Sequence, residues 1–446
     1  MGMNIRLANC VLFCFDLLIV HGGLLAAFWL HDSYSLDAYL HLLPGLSAAA
    51  LVIFTMFDLY AKPQRRGLDL LIGSVVLAVG MLALCAALFT SLPGVVIVMA
   101  GLLQGVLLLV WRAGIWQVGR RVYGGRKVLV VADDPIAGLL IEERLDLNMQ
   151  GWFTVAGVLT TEEQERLAQL LPGVDAVVLG GAIGVKKELV SLCARYGKEA
   201  LVVPELFELV LFGAEPQQIG DLLVLSITPP KLKLRQQIVK RGLDLLAAGL
   251  LLIVLSPLLC CLYLLIPLHS PGPAVFRQER LGQGGKPFAL YKFRSMVSDA
   301  ELATGPVLAL QDDPRVTRLG RFLRATRLDE APQLINVLRG EMSLVGPRPE
   351  RAYFIDQFKE TVPDYLQRLS VRPGLTGLAQ VRAGYSSAAA DKLRFDLMYM
   401  QNYSFVLDLK ILFQTLRVVL LRQQAEGVPE QQTASRSREH GMKEMV

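Results

Sequence analysis

Four long apolar stretches, at about 8–30, 39–60, 68–90 and 93–115, open the chain and predict helices. Each approaches the ~20 apolar residues that a helix needs to cross a ~30 Å hydrocarbon core. Residues 7–30 carry Asp16 as their only formal charge, and residues 70–111 carry none. The pattern then changes. Short β-branched runs at 128–131, 154–159, 176–179 and 200–203 alternate with helical stretches near 135–149, 161–171 and 185–197. Alternation of that kind predicts an α/β domain over 126–230 with a parallel, doubly wound sheet. Residues 205–230, ending in Pro229-Pro230, read as its linker. A fifth apolar run covers 245–268, a soluble but Arg-, Gly- and Pro-rich stretch follows to 421, and the polar tail 422–446 is expected to be disordered.

Basic residues orient the helices. Lys62, Arg65 and Arg66 separate the second span from the third, and Arg112, Arg120, Arg121, Arg126 and Lys127 follow the fourth. The positive-inside rule therefore puts both ends of the four-helix transmembrane region, residues 1–120, in the cytoplasm. The N-terminal run has no small-residue cleavage signature and reads as a retained membrane segment. As one straight helix, the 24 residues of 245–268 would reach ~36 Å, enough to span. Its flanks disagree with a crossing, because Lys231, Lys233, Arg235, Lys240 and Arg241 precede it while Arg277, Arg280, Lys286, Lys292 and Arg294 follow. Pro257 falls mid-run, where it has no N–H to donate and clashes with the carbonyl of Ile253. The neighbouring Ser256 hydroxyl is placed to satisfy a freed carbonyl. The expectation is a re-entrant helix–break–helix over about 241–268, with Ser256 and Pro257 at the break. The alternative is a fifth crossing with a proline kink, which would move everything after residue 270 across the membrane.

Composition agrees with a multi-domain membrane protein: of 446 residues 53% are apolar and 19% charged. The net charge of +5 is concentrated outside the apolar runs. It favours an anionic lipid surface or phosphorylated substrates over nucleic acid. Five of the six cysteines fall in apolar runs without a C-x-x-C pair, and they are expected to be small buried hydrophobes. The turn after the first predicted strand reads Ala132-Asp-Asp-Pro135, where a dinucleotide fingerprint would need glycines. The middle domain is therefore expected to be structural or regulatory, with no bound nucleotide.

The densest chemistry lies in Arg327-Leu-Asp329-Glu330-Ala-Pro-Gln333. Pro332 is tolerated only in a first helical turn, so a helix should begin at the acidic pair and end at Gly340. One reading makes Asp329 an N-cap and Glu330 a partner of the helix dipole. The other makes one carboxylate a nucleophile on phosphorus and the other a metal ligand that neutralises a diphosphate. Prolines flank Arg348 in Val345-Gly-Pro-Arg-Pro349, which presents its guanidinium for bidentate capture of phosphate. Arg372 stands beside glycines that would let a phosphate approach the main chain. Lys292 and Arg294 share one face of a predicted strand. Arg318, Arg321, Arg324 and Arg327 recur every three residues, a stripe more typical of a solvated or headgroup-facing surface.

From about 235 to 420 the chain resembles the bacterial sugar transferase family, the monotopic polyprenyl-phosphate phosphoglycosyl transferases. The matching motifs are Lys240-Arg-Gly-Leu-Asp244, Ser256-Pro257, Gly272-Pro-Ala-Val-Phe-Arg-Gln278, Lys292-Phe-Arg-Ser-Met296, Thr326-Arg-Leu-Asp-Glu330, Leu334-Ile-Asn-Val-Leu338, Val345-Gly-Pro-Arg-Pro349 and Arg372-Pro-Gly-Leu-Thr-Gly377. With four spans and an α/β domain in front, the whole is similar to the large members that initiate polysaccharide assembly. The resemblance implies an α+β monotopic catalytic domain over 235–421, carrying the re-entrant helix, on the cytoplasmic face of a bacterial inner membrane. It implies Asp329 as nucleophile towards a nucleoside diphosphate sugar, with UDP as the expected nucleotide, and undecaprenyl phosphate as acceptor. Glu330 would bind Mg²⁺, and Arg348 would hold phosphate, with Lys292, Arg294, Arg327 and Arg372 as further candidates. Asp396 and Asp408 fall where the family carries additional acidic residues, and a cap or surface role is equally open for them. Two alternatives stand beside this: a membrane glycosyltransferase that moves the sugar alone, and a membrane scaffold whose catalytic fold has decayed. The particular sugar is not legible, and a homodimer is the expected assembly.

Overall fold

The computed structural model describes residues 5–420 apart from 32–35, 62–66, 150–151, 182, 213, 220, 228–231, 233, 299, 301–312 and 384–387. The expected tail, the Lys62–Arg66 basic cluster and Pro229-Pro230 lie outside the described residues. The chain forms two compact units, Met1–Glu205 and the remainder from Leu206.

The first unit begins with helices α1 (Ile5–Leu30), α2 (Leu36–Met56), α3 (Leu68–Phe89) and α4 (Gly94–Tyr123). All four are long and apolar enough to cross a membrane. α2 ends earlier than expected because Asp58 adopts a left-handed conformation (φ 62°) and turns the chain. α4 runs eight residues past its expected end, and the Arg120 guanidinium lies 5.5 Å over the Trp116 ring. Asp16, 0% exposed, is ion-paired with Arg112 of α4. Tyr60 donates to its Oδ2 at 3.0 Å, and Arg112 also donates to the Leu59 carbonyl at 2.9 Å. The one formal charge of residues 7–30 is thus a tie between α1, the end of α2 and α4, as a buried charge requires a partner. Of the five cysteines expected to be buried, Cys10, Cys14, Cys260 and Cys261 are exposed and Cys85 is half-buried, whereas Cys193 is buried.

The rest of this unit is a four-stranded parallel sheet, β1 (Arg126–Ala132), β2 (Phe153–Thr160), β3 (Ala176–Leu179) and β4 (Glu199–Val202), in the order β2-β1-β3-β4. Helices α5 (Pro135–Met149), α6 (Gln164–Leu170) and α7 (Ile183–Arg195) connect the strands. Leu129, Val131, Val177 and Leu179 supply one buried face, Val128, Val130 and Val178 the other, as continuous β-branched runs predict. The strand order reverses between β1 and β3, where such sheets bind ligands. There the Asp133 carboxylate presses on Gly181 (φ +110°), 2.2 Å from where a Cβ would stand.

In the second unit the segment expected to be a linker is built instead as α8 (Leu206–Phe212) and a hairpin of β5 (Glu215–Ile219) and β6 (Leu222–Ser226). Leu206 earns this structure by packing on the core of the unit. α9 (Leu234–His269) follows, then the hairpin β7 (Val275–Leu281) and β8 (Pro287–Phe293), and α10 (Arg318–Ala325). A 3₁₀ turn at Leu328–Glu330 leads to α11 (Gln333–Arg339), β9 (Ser343–Val345) and α12 (Ala352–Thr361). β10 (Gly374–Thr376) pairs parallel with β9, and α13 (Leu378–Arg382), α14 (Ala389–Gln401) and α15 (Phe405–Leu420) complete the fold.

α9 is one unbroken helical segment, with Pro257 inside it, where two arms were expected. The Ser256 hydroxyl donates to the Ile253 carbonyl at 2.8 Å, replacing the donor that proline removes, so the helix need not end there. Its first half is anchored by Lys240, which donates to Asp408 Oδ2 at 2.7 Å, by Asp244, whose Oδ1 accepts from the Leu344 N–H at 3.0 Å, and by Ala248 in the main core. Its second half buries Leu262 and Ile266 against Ala274, Phe293 and Leu323. Both halves therefore pack on the same body, while Leu246, Ile253, Leu264 and Leu268 are exposed.

Candidate active site

Arg327 sets the site's geometry. It follows the C-terminus of α10 in a left-handed conformation (φ 57°, ψ 15°), uncommon for a residue with a Cβ. The reversal feeds the 3₁₀ turn, which places Asp329 and Glu330 on the wall of a cleft of about 1150 Å³. α11 begins only at Gln333, and no side chain caps it. The N-cap reading of Asp329 is thereby overturned, because the intervening turn carries the carboxylate away from the helix end. Gly340 (φ +84°) does end α11, as its position predicts.

Asp329 is 8% exposed, and its Oδ1 has no hydrogen-bond partner. Burial, reinforced by the adjacent Glu330, pushes its carboxyl up to about 6, against the pull of Lys292, Arg324 and Arg327. Glu330, 7% exposed, behaves oppositely. Burial alone would raise it, but Arg348, Lys292 and Arg327 outweigh that and hold it well below the usual carboxylate range. Arg348 Nη2 lies 2.7 Å from Glu330 Oε1, and Lys292 Nζ and an Arg327 nitrogen each lie 3.6 Å from the same oxygen. Desolvation lowers the Lys292 ammonium in turn. Two neighbouring carboxylates are thus driven apart, one kept basic and the other kept ionised.

Arg348 is presented by Pro347 and Pro349 next to the β9–β10 pair. A Cβ at Gly346 would fall 2.6 Å from the Arg372 carbonyl oxygen, so only glycine permits this close approach of the two chains. Lys292, Arg294, Arg327 and Arg348 all line the cleft, joined by Arg280, Arg315, Arg321, Arg324, Arg351 and Arg368, which the motif reading did not assign to the site. Arg294 is committed elsewhere: its guanidinium donates to the carbonyls of Ser270 and Pro271 and to Ser298 Oγ, closing the turn after α9. Arg372 does not line the cleft and lies near the Arg241 guanidinium. Leu251 and Leu255 of α9 and Leu412 and Val418 of α15 give the cleft an apolar wall.

Neither additional acidic residue reaches the cleft. Asp408 accepts from Lys240 and, at 2.8 Å, from the Tyr399 hydroxyl. Asp396, 1% exposed, is ion-paired with Arg368 at 3.0 Å. Burial pushes the Asp396 carboxyl up to about 6 despite that pairing. Arg368 carried no signal in the sequence, since its partner stands 28 positions away along the chain.

Among the described residues no cluster of three or more His, Cys, Asp or Glu side chains forms a cation cage. Mg²⁺ asks for less, since it takes one or two carboxylates and completes its shell from water and substrate phosphate. Glu330, buried at the cleft wall and kept ionised, supplies one such carboxylate and fits that smaller donor set.

Residues 235–422 match the family described as bacterial sugar transferase. The chain is 47% identical over 185 residues to the UDP-N-acetylgalactosamine-undecaprenyl-phosphate N-acetylgalactosaminephosphotransferase of Aeromonas hydrophila, covering 41% of this chain and 44% of that protein. It is 34% identical over 316 residues to the UDP-glucose:undecaprenyl-phosphate glucose-1-phosphate transferase of Escherichia coli K12, covering 65% and 67%. A protein of the same name from Caulobacter vibrioides is 45% identical over 207 residues, covering 45% of this chain and 76% of its own length. The match to the Aeromonas protein thus spans less than half of that relative's length.

Proposed function

This chain belongs to the bacterial sugar transferase family, and from that premise we propose that it transfers a sugar 1-phosphate from a UDP-sugar to undecaprenyl phosphate at the cytoplasmic face of a bacterial inner membrane. The observation that carries the proposal is the unpartnered Oδ1 of Asp329, buried in the cleft beside a glutamate ringed by three cations.

In the first step Asp329 attacks the phosphorus that bears the sugar, the bond to the bridging oxygen breaks, and UMP leaves. An aspartyl phosphosugar remains on the enzyme. A phosphate oxygen of undecaprenyl phosphate then attacks the same phosphorus, freeing the carboxylate and giving undecaprenyl diphosphosugar. Splitting the transfer in two replaces one difficult displacement by two easier ones. Arg348, Lys292 and Arg327 hold the diphosphate and balance the charge it gathers, with no reorganisation at the moment of reaction. Glu330 would hold Mg²⁺, leaving Asp329 free to attack, and the ion when bound would neutralise charge on the departing phosphate. The basic flanks of α9 and the packing of both its halves on one body support an insertion in which the helix bends at Pro257, without ending there, and returns to the face it entered. That insertion puts the cleft at headgroup depth, where the acceptor's phosphate lies, with its apolar wall beside the lipid chain. The relatives act on glucose and N-acetylgalactosamine, so the sugar itself is to be found by assay.

The test is incubation of membranes holding the protein with a panel of UDP-sugars and undecaprenyl phosphate, scoring nucleotide and lipid-linked product. UMP with a lipid diphosphosugar is expected, and neither with Asp329→Asn. Release of UDP would establish transfer of the sugar alone and overturn the reading, as would full activity in Asp329→Asn.

A further inference from the structure

The run from Pro347 to Glu350 is held in an unusual way. Pro347 and Pro349 have no N–H, so a conventional ladder cannot fix the backbone on either side of Arg348. Its carbonyls are the remaining handles, and all four are taken. The Gly374 N–H donates to Pro347 at 2.8 Å, and the Leu281 N–H to Glu350 at 3.0 Å. Arg280 Nη1 donates to Pro349 at 3.3 Å, and Arg368 Nη2 donates to Arg348 itself at 3.0 Å. Arg368 is 5% exposed and does not move freely: its other amine donates to the Tyr365 hydroxyl, and Asp396 pairs with it at 3.0 Å.

We propose that Arg368, oriented by Asp396, is a positioning residue that fixes the main chain of Arg348 so that its guanidinium meets the donor's diphosphate. The assignment rests on the reading of Arg348 as a phosphate ligand given above. One planar fork joins a carboxylate, a phenol and the Arg348 carbonyl, and an ammonium cannot reach all three in that geometry. Asp396 accordingly serves the reaction without touching the substrate, through two successive contacts. Displacement of a phosphate ligand by about 1 Å is enough to cost up to about a hundredfold.

A mutant cycle tests this on the purified full-length protein in lipid nanodiscs, with UDP affinity by calorimetry and UMP release from a UDP-sugar as separate readouts. Arg348→Ala and Arg368→Lys are each expected to weaken UDP by about tenfold or more. The double variant should bind no worse than Arg348→Ala alone, and the fall in kcat/KM for UMP release that Arg368→Lys causes should likewise vanish in the Arg348→Ala background. Losses that multiply in the double variant, or an Arg368→Lys protein with unchanged UDP affinity, would overturn the proposal. Should Arg368→Lys not fold, Asp396→Asn takes its place in the same cycle with the same expectations. Wild-type protein that binds UDP yet releases no UMP from any UDP-sugar defeats the transfer reading while the cycle still decides the positioning role. Wild-type protein that does not bind UDP defeats both.

Discussion

Asp329→Asn should inactivate the protein and make it more stable. The perturbation removes a charge from a site where burial disfavours it, keeping the shape of the side chain. In the folded chain the Asp329 carboxyl is raised from its ordinary value of 3.8 to about 6, first by desolvation and then by Glu330. That shift corresponds to at most about 3 kcal/mol of instability when the group is ionised. The sign follows from proton binding. Between pH 4 and 6 the folded state holds this proton more tightly than the unfolded chain does, so wild-type stability falls as pH rises through that window and stays low above it. The asparagine variant escapes the loss. Its advantage should be near zero at pH 4, grow up to pH 6, and be complete at neutral pH. For a folded unit of this size, about 3 kcal/mol is at most roughly 6–12 °C in Tm. Thermal unfolding of both proteins in nanodiscs across pH 4–8 measures it, with UMP release measured in parallel. A capping carboxylate would give no gain, since asparagine caps a helix as well as aspartate does. A variant no more stable than wild type at neutral pH, or one whose advantage ignores pH, would refute the argument.

Other outcomes follow from the same contacts. Formation of the aspartyl phosphosugar requires ionised Asp329, so the rate of its donor half-reaction should fall as pH drops through about 6, measurable as the UMP burst in a rapid-quench experiment. Lys240→Met leaves Asp408 buried without its cation and should destabilise by about 3–5 kcal/mol; adding Asp408→Leu should restore most of the loss in thermal unfolding. Gly346→Ala forces a methyl against the Arg372 carbonyl and should cost about 1–3 kcal/mol in thermal unfolding, and it should sharply reduce UMP release although Asp329 is intact. Ser256→Ala strips the Ile253 carbonyl of its donor and should lower stability by about 1 kcal/mol, whereas Ser256→Thr should retain it, as read by Tm in nanodiscs.

The periodic parts of the fold were legible. Long apolar runs marked α1 to α4, and β-branched runs separated by amphipathic stretches gave β1 to β4 within a residue or two of their bounds. What escaped depends on contacts distant along the chain. Nothing local to 205–230 says that Leu206 finds a core and so turns an apparent linker into α8 and a hairpin. Likewise the apolar run at 245–268 advertised a break at Pro257, because the rescue by Ser256 is a side-chain geometry and not a pattern. At the site, the acidic pair and Arg348 were visible because turn residues flank them. The different environments of Asp329 and Glu330 were not, since they arise from Lys292 on β8 and Arg348 beyond β9 converging on one oxygen. The arginine stripe carried two meanings that spacing cannot separate: Arg321 and Arg324 line the cleft while Arg318 does not.

The left-handed backbone at Arg327 has a consequence for engineering this site. Glycine is the residue that such a dihedral favours, and placing it there would relieve about 1–2 kcal/mol of local strain. It would also delete one of the cations facing Glu330. Foldability and charge therefore pull in opposite directions at this position, and selection for robustness alone would drift towards a sturdier, less electropositive cleft. Sequence optimisation of this protein should hold position 327 fixed.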